Sequence, residues 1–334
     1  MGSALSSFNR SGLGAFRRSG LGARGFGNIV GDYFAGNGSG GSWRSTDGGI
    51  WTFDSGIASS RIIAFNSQRW LGDSGYMDPP YSALNAYGTN TPTYSFPGGP
   101  VSFAGKLYTN NSAATAGQWQ ESDDNGASWD LVTAPNSGSG STPRTCRGFY
   151  VSGGTLYILM LGNTSSRYYF VWTTDGTSYF SSNDITAFSG ASPSFICPYV
   201  YGGVFYVAFN GGLYSSSSLP TFTLVRALTL AGLSGNLAFY DFGTDQILMM
   251  STATGGGVAV STNGFVTSHV DRTAGYKNHY IDNDDSLWAI KISNGYPERA
   301  EDYVTFSTVA AQDLGSGAGS TGLARVGMKL HLDN

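Results

Sequence analysis

Ser122-Asp123-Asp124-Asn125-Gly126-Ala127-Ser128-Trp129 decides the fold of this chain. The Asp124 carboxylate can accept hydrogen bonds from the amides of its own turn, and Gly126 can take the positive φ that closes a hairpin. Trp129 then opens the next strand with a ring large enough to bury between sheets. The stretch predicts a tight polar turn with an aromatic anchor.

The pattern recurs. Ser45-Thr46-Asp47-Gly48-Gly49-Ile50-Trp51 and Thr173-Thr174-Asp175-Gly176-Thr177-Ser178-Tyr179 are versions one residue shorter. Ser261-Thr262-Asn263-Gly264-Phe265 carries Asn in place of Asp, and Ser215 to Phe222 is a worn copy with an aromatic end. Centres at 47, 124, 175, 217 and 263 give steps of 77, 51, 42 and 46, the first being nearly two periods. A period in the forties, with apolar strand pairs before each turn, is the signature of a β-propeller. About seven four-stranded blades are expected, the second of them without a recognisable turn motif.

The pattern S-x-D-x-G-x-x-W resembles the Asp-box, or BNR repeat, of sialidase-like β-propellers. In that family the box is a folding device, so the resemblance gives Asp47, Gly49, Trp51, Asp124, Gly126, Trp129, Asp175, Gly176, Tyr179, Asn263 and Gly264 a structural role.

Composition agrees with an all-β chain. Only 12% of the 334 residues are charged, Gly reaches 49, and Tyr and Phe number 20 each, which favours short strands joined by glycine-rich turns. The net charge of −4 argues against a nucleic-acid-binding body. Two cysteines, Cys146 and Cys197, make no disulfide framework and read as buried thiols. No apolar run approaches the roughly 18 residues of a membrane span, and the N-terminus lacks the apolar core of a secretory signal.

Three regions are expected. Residues 1–28 repeat an eight-residue unit, Arg10-Ser11-Gly12-Leu13-Gly14-Ala15-Phe16-Arg17 followed by Arg18-Ser19-Gly20-Leu21-Gly22-Ala23-Arg24-Gly25, ahead of the first acid at Asp32. So much Gly and so little apolar surface cannot form its own core. The arginines could neutralise phosphates, but the interleaved Leu and Phe suit a docking arm on a protein partner, with Arg10, Phe16, Arg17, Arg18 and Arg24 as its contacts. Residues 29–311 form the propeller. Residues 312–334 are a Gly/Ser linker and a tail that either completes a blade with the N-terminal unit or packs on a neighbour.

Glycosidase chemistry of the sialidase type would need an arginine cluster, a Tyr nucleophile supported by Glu, and an acid/base Asp. Arg61, Arg147, Arg226 and Arg272 each lie between the end of one unit and the inner strand of the next, which would gather them at one channel mouth as an anionic-ligand site. Glutamates are scarce, however: Glu121, Glu298 and Glu301. Glu121 abuts a box and is expected to point away from the channel. His269, His279 and His331 are scattered, and Asp282-Asn283-Asp284-Asp285 fits a hairpin turn better than a calcium loop, so no metal and no cofactor is expected.

Low charge with abundant Gly, Ser, Thr, Asn and Tyr also resembles virion proteins of tailed bacteriophages, which attach propellers through extended arms. That resemblance implies a non-enzymatic virion component, tail-associated, present in multiple copies. It would be anchored on other virion proteins by its arm and present a face to a cell-surface glycan or receptor. The alternatives are a head-surface decoration or fibre protein, a sialidase-like carbohydrate-active propeller, and a cellular propeller adaptor.

Overall fold

The computed structural model describes residues 33–37, 41–45, 49–54, 62–65, 70–72, 75–78, 85–88, 90, 100–110, 117–163, 167–188, 193, 195–231, 233, 235–250, 257–272, 275–281, 286–303, 305–314 and 320–325. The arm residues Arg10, Phe16, Arg17, Arg18 and Arg24, the box residue Asp47, Arg61 and the acidic turn 282–285 lie outside them.

The chain from Gly31 onward is one compact unit of short strands with a single 3₁₀ turn, Thr186–Phe188, among the described residues. Blade 1 contains β1 (Tyr33–Asn37), β2 (Gly41–Ser45) and β3 (Thr52–Asp54); blade 2 contains β4 (Ile62–Phe65), β5 (Trp70–Gly72) and β6 (Tyr76–Met77). Blade 3 is β7 (Val101–Phe103), β8 (Lys106–Asn110), β9 (Gln118–Ser122) and β10 (Asp130–Thr133). Blade 4 is β11 (Pro143–Ser152), β12 (Thr155–Gly162), β13 (Tyr168–Thr173) and β14 (Phe180–Ser181). Blade 5 is β15 (Phe195–Tyr201), β16 (Val204–Phe209), β17 (Gly212–Ser218) and β18 (Thr221–Ala227), with β19 (Gly235–Asn236) running parallel beside β15. Blade 6 is β20 (Ala238–Asp241), β21 (Gln246–Met250), β22 (Gly257–Ser261) and β23 (Val270–Arg272). Blade 7 is β24 (Tyr276–Ile281), β25 (Leu287–Lys291), β26 (Pro297–Ala300) and β27 (Ser307–Thr308), and β28 (Ser320–Arg325) follows it.

These strands form seven antiparallel sheets, apart from the parallel β19, and the architecture is an all-β propeller. Among the described residues blade 2 has three strands, with an antiparallel bridge between Tyr76 and Asn85 beyond them.

Blade 1 settles the role of the tail. Its order is β28-β1-β2-β3, with Tyr33 opposite Arg325 and Ala35 opposite Leu323. The last described strand thus supplies the first position of the first blade, and β28 lies against β4 of blade 2 and β24 of blade 7. Of the two outcomes open for the tail, blade closure is the one observed. Within the segment 312–334, read as linker and tail, strand begins at Ser320. A closing strand is paired by its distant partner and carries no local turn signal of its own.

The core lies between blades and is rich in aromatic rings. Tyr199 stacks on Phe239 of the next blade at 4.1 Å, and Phe170 stacks on Phe222 at 6.1 Å. Cys146 and Cys197 are free and buried, and burial pushes both thiols upward, as expected for inert packing groups. His279 on β24 is buried with Nδ1 lacking a hydrogen-bond partner, and burial pulls its imidazole down to about 4.

Two outcomes test this fold. A chain ending at Gly319 loses the ladder to β1; at about 1 kcal/mol net per hydrogen bond, the thermal midpoint should fall by roughly 10 °C in a circular dichroism melt. His279 also sets a pH dependence. The unfolded chain takes up a proton near pH 6.5 while the folded chain resists until about 4, so stability is full above 6.5 and lost as pH falls. Urea midpoints should show a loss of about 2 kcal/mol between pH 7 and 4.5, and His279→Gln should flatten that slope.

Candidate functional site

The Asp124 carboxylate does what its sequence implies. Oδ1 accepts the amides of Ala127 and Ser128, both at 2.9 Å, and Oδ2 accepts the Ser128 hydroxyl at 2.6 Å. Ser122 Oγ donates to Asp124 at 2.8 Å and accepts the Gly126 amide at 2.7 Å. Partial burial pulls the Asp124 carboxyl upward, but hydrogen bonds from Ser128, Ser122 and Ala127 outweigh it and hold the group below its usual range. Asn125 and Gly126 take φ of 58° and 84°. The Asp175 turn repeats the arrangement, with Oδ1 accepting the amides of Thr177 and Ser178 at 2.8 and 2.7 Å. Those amides of Ser178 and Thr177 hold its carboxyl low. Asn263 does the same as a neutral acceptor, with the amide of Thr267 at 3.1 Å. The anchors follow: Trp129 is fully buried and Trp51 nearly so.

Each of these turns docks on the blade before it. A Cβ on Gly126 would meet Leu71 of blade 2 at 2.7 Å, and the Trp129 carbonyl accepts Asn90 Nδ2 at 2.7 Å. A Cβ on Gly264 would meet the Tyr201 ring of blade 5 at 2.2 Å, and the Gly264 carbonyl accepts the Tyr199 hydroxyl at 2.7 Å. Glycine is required at both positions for its missing side chain as much as for its φ.

The seam between blades 3 and 4 holds a polar cluster. Tyr179 crosses to blade 3, lies edge-on to Trp119 at 4.9 Å and donates its hydroxyl to Glu121 Oε1. Trp119 Nε1 donates to the same oxygen at 3.1 Å, and Lys106 Nζ reaches Oε2 at 2.7 Å and the Gly176 carbonyl at 3.1 Å. Burial, then the adjacent Glu121 carboxylate, push the Tyr179 hydroxyl far upward; burial pushes Tyr108 up to about 12. Glu121 sits inside this seam, held by Lys106, Trp119 and Tyr179.

The sequence reading missed several residues. Blade 7 has a box-like turn without the motif: Asp302 Oδ1 accepts the Thr305 amide at 2.6 Å, and Tyr303 takes a φ of 59°. Tyr303 stacks on Phe242 of blade 6 at 5.3 Å. In blade 6 the anchor position belongs to His269, hydrogen-bonded to the Thr229 carbonyl at 2.9 Å. A search for Asp followed by Thr three residues on would have found the first; nothing in the motif signals the second. The worn copy in blade 5 keeps Ser216, which accepts the Ser218 amide at 3.2 Å, and ends in Leu219-Pro220.

Of the four arginines read as a channel mouth, Arg61 lies outside the described residues and the strands of the other three are known. Arg147 lies on the first strand of its blade, while Arg226 and Arg272 lie on β18 and β23, the outermost strands of blades 5 and 6. Arg226 binds the carbonyls of Ala227 and Phe265 at 3.0 and 3.3 Å, tying blade 5 to the box of blade 6. Position between units placed these residues near blade transitions, but half of each transition belongs to the perimeter.

A second buried carboxylate was not singled out. Glu298 accepts the Tyr276 hydroxyl at 2.7 Å and the Thr308 hydroxyl at 3.2 Å, and Lys291 Nζ stands 3.3 Å away. Its four residues come from the four strands of blade 7. Among the described residues, no three or more His, Cys, Asp or Glu side chains cluster as a metal would require, and no helix is long and apolar enough to cross a membrane.

No protein-family model and no curated protein matches this chain. Solved structures do. A functionally unknown protein from Desulfotomaculum acetoxidans aligns at a TM-score of 0.54 and 11% identity, over 87% of this chain and 99% of that one. The dihydro-heme d1 dehydrogenase NirN aligns at 0.48 and 9%, over 92% and 78%. The GH43 protein BlXynB of Bacillus licheniformis aligns at 0.41 and 13%, over 67% of this chain and only 56% of that one. Identities this low bear on the fold alone.

The Glu121 seam is testable by a double-mutant cycle. Tyr179→Phe and Glu121→Gln should each destabilise in urea unfolding, with a coupling of about 1 to 2 kcal/mol; simple additivity would show the two side chains to be energetically independent.

Proposed function

We propose that this chain is a non-enzymatic binding and assembly component of a tailed-phage virion, tail-associated and present in multiple copies. The N-terminal segment anchors it to other virion proteins, and the propeller presents a protein- or glycan-binding face. The observation that carries the non-enzymatic part is the state of the buried carboxylates. Among the described residues, Glu121 and Glu298 are the buried ones, and each is held by a lysine and a tyrosine inside its blade or seam. A carboxylate so engaged holds sheets together and has little freedom to exchange a proton with a substrate.

Charge supports the anchoring part. The first 30 residues carry +4 with no acid, so the rest of the chain carries −8 of the total −4. A basic, glycine-rich segment joined to an acidic body suits docking on acidic or carbonyl-rich surfaces of another copy or another protein. The virion assignment rests on composition and on this segment.

One observation favours a second reading. Tyr276 and Glu298 meet at 2.7 Å, the pair a carbohydrate-active propeller of the sialidase type would use. Here their cation is Lys291, and burial followed by the Glu298 hydrogen bond pushes the Tyr276 hydroxyl upward, away from the ionised form a nucleophile needs.

Hydrogen exchange on residues 1–28, in purified particles and in the isolated protein, separates these readings. Protection confined to the particle is the expected result; free exchange in both would remove the anchoring role. Hydrolysis of an activated aryl glycoside that disappears in Tyr276→Phe would establish the second reading instead.

A further inference from the structure

The register of blades 3 and 4 allows their seams to be compared position by position. Glu121 pairs with Tyr108 and Asp130 in blade 3; Trp172 pairs with Tyr157 and Phe180 in blade 4. Trp172 therefore occupies the Glu121 position and Phe180 the Asp130 position. By the same ladders Thr155 stands where blade 3 has Lys106, since Leu156 opposes Thr173 as Leu107 opposes Ser122.

The covering turn differs in parallel. Over blade 3 lies the Asp175 box, whose Tyr179 hydroxyl and Gly176 carbonyl close on Glu121 and Lys106. Over blade 4 lies the worn turn of blade 5. Its Phe222 takes the place of Tyr179 and stacks on Phe170 at 6.1 Å, but it has no hydroxyl to extend further out. Ser218 stands where Asp175 would gather turn amides, and Pro220 has no amide to offer. The outer corner of blade 4 is left open. Phe180 is 55% exposed and Trp172 is half-buried, their rings 6.1 Å apart and 25° from parallel. Tyr157 and Phe205, 5.3 Å apart, continue the aromatic surface inward, and Leu219 packs at the same cluster. The worn turn contributes exposed Ser217, Ser218 and Thr221.

We propose that this open corner, built on Trp172 and Phe180 at the seam of blades 4 and 5, is a binding subsite for a neutral saccharide. The proposal rests on the reading of the propeller as a binding body and names one ligand site on it. Two features select the ligand. Aromatic faces carry negative potential and attract the polarised C–H face of a pyranose. The charged pair of the neighbouring seam is replaced by Trp172 and Thr155, which removes the partner an acidic sugar would need, while serine and threonine hydroxyls suit the sugar's own.

The test is affinity electrophoresis of the full chain in native gels containing dextran, yeast mannan, glycogen or xyloglucan. At least one of these neutral polysaccharides should retard the protein. Phe180→Ser should weaken that retardation at least tenfold, with an unchanged thermal midpoint because the side chain is exposed. Phe53→Ser, which removes another exposed ring from blade 1, should leave retardation intact. Retardation by none of the four overturns the proposal, and so does equal retardation of Phe180→Ser. If Phe180→Ser instead blocks incorporation into particles without any saccharide effect, the corner is a protein contact and the saccharide assignment is overturned. Protection of residues 1–28 in particles would stand under either negative result, so failure of this subsite leaves the assembly role separately testable.

Discussion

One side-chain oxygen accepting two backbone amides holds the box turns of blades 3, 4 and 6. Without Asp124 or Asp175, the amides two to four residues further on would face outward without a fixed geometry, and the chain would have no reason to reverse there. With it, the turn becomes rigid enough to act as a lid on the preceding blade. Glycine completes the arrangement, because at positions 126, 176 and 264 a Cβ would collide with the neighbouring sheet. The motif therefore couples local geometry to packing between sheets. Turns shaped to cover the next aromatic layer, together with hydrogen bonds such as those from Tyr179 and Tyr199, hold adjacent blades against each other.

The seams share this plan and differ in chemistry. Blades 3 and 4 meet through a tyrosine hydroxyl on Glu121 and a lysine reaching the Gly176 carbonyl; blades 5 and 6 meet through Phe265, a histidine and an arginine reaching a carbonyl. Blades 6 and 7 meet through stacked aromatic rings. The part-buried Lys106–Glu121 pair within blade 3 gains less over an apolar contact than its short distance suggests, because its charges give up water. That explains how one architecture tolerates all three solutions, and why a degenerate turn in blade 5 leaves the fold intact. Where the lid thins, apolar surface opens, and exposed apolar surface on a rigid body is where partners attach.

Much of this was legible in the residues. The boxes at Asp124, Asp175 and Asn263 appear with the hydrogen bonds their sequence implies, and the boxless second unit forms a sheet of its own. The box-like turn at Asp302 escaped notice because a Tyr supplies the positive φ that the motif assigns to Gly. The strands that carry Arg226 and Arg272 were not legible for a different reason. Neighbouring positions in the chain, at the end of one unit and the start of the next, sit at opposite radial ends of adjacent sheets.

The sequence by itself determined the all-β class, the repeat length and the turns, because an Asp, a Gly and an aromatic ring at fixed spacing act over fewer than ten residues. Only the tertiary structure decided which strand closes the ring, since Tyr33 and Arg325 pair across nearly the whole chain and nothing local encodes that match. Burial was decided there too. Glu121 and Trp172 hold the same position in adjacent blades, and whether that position is sealed or open depends on the turn of the following blade.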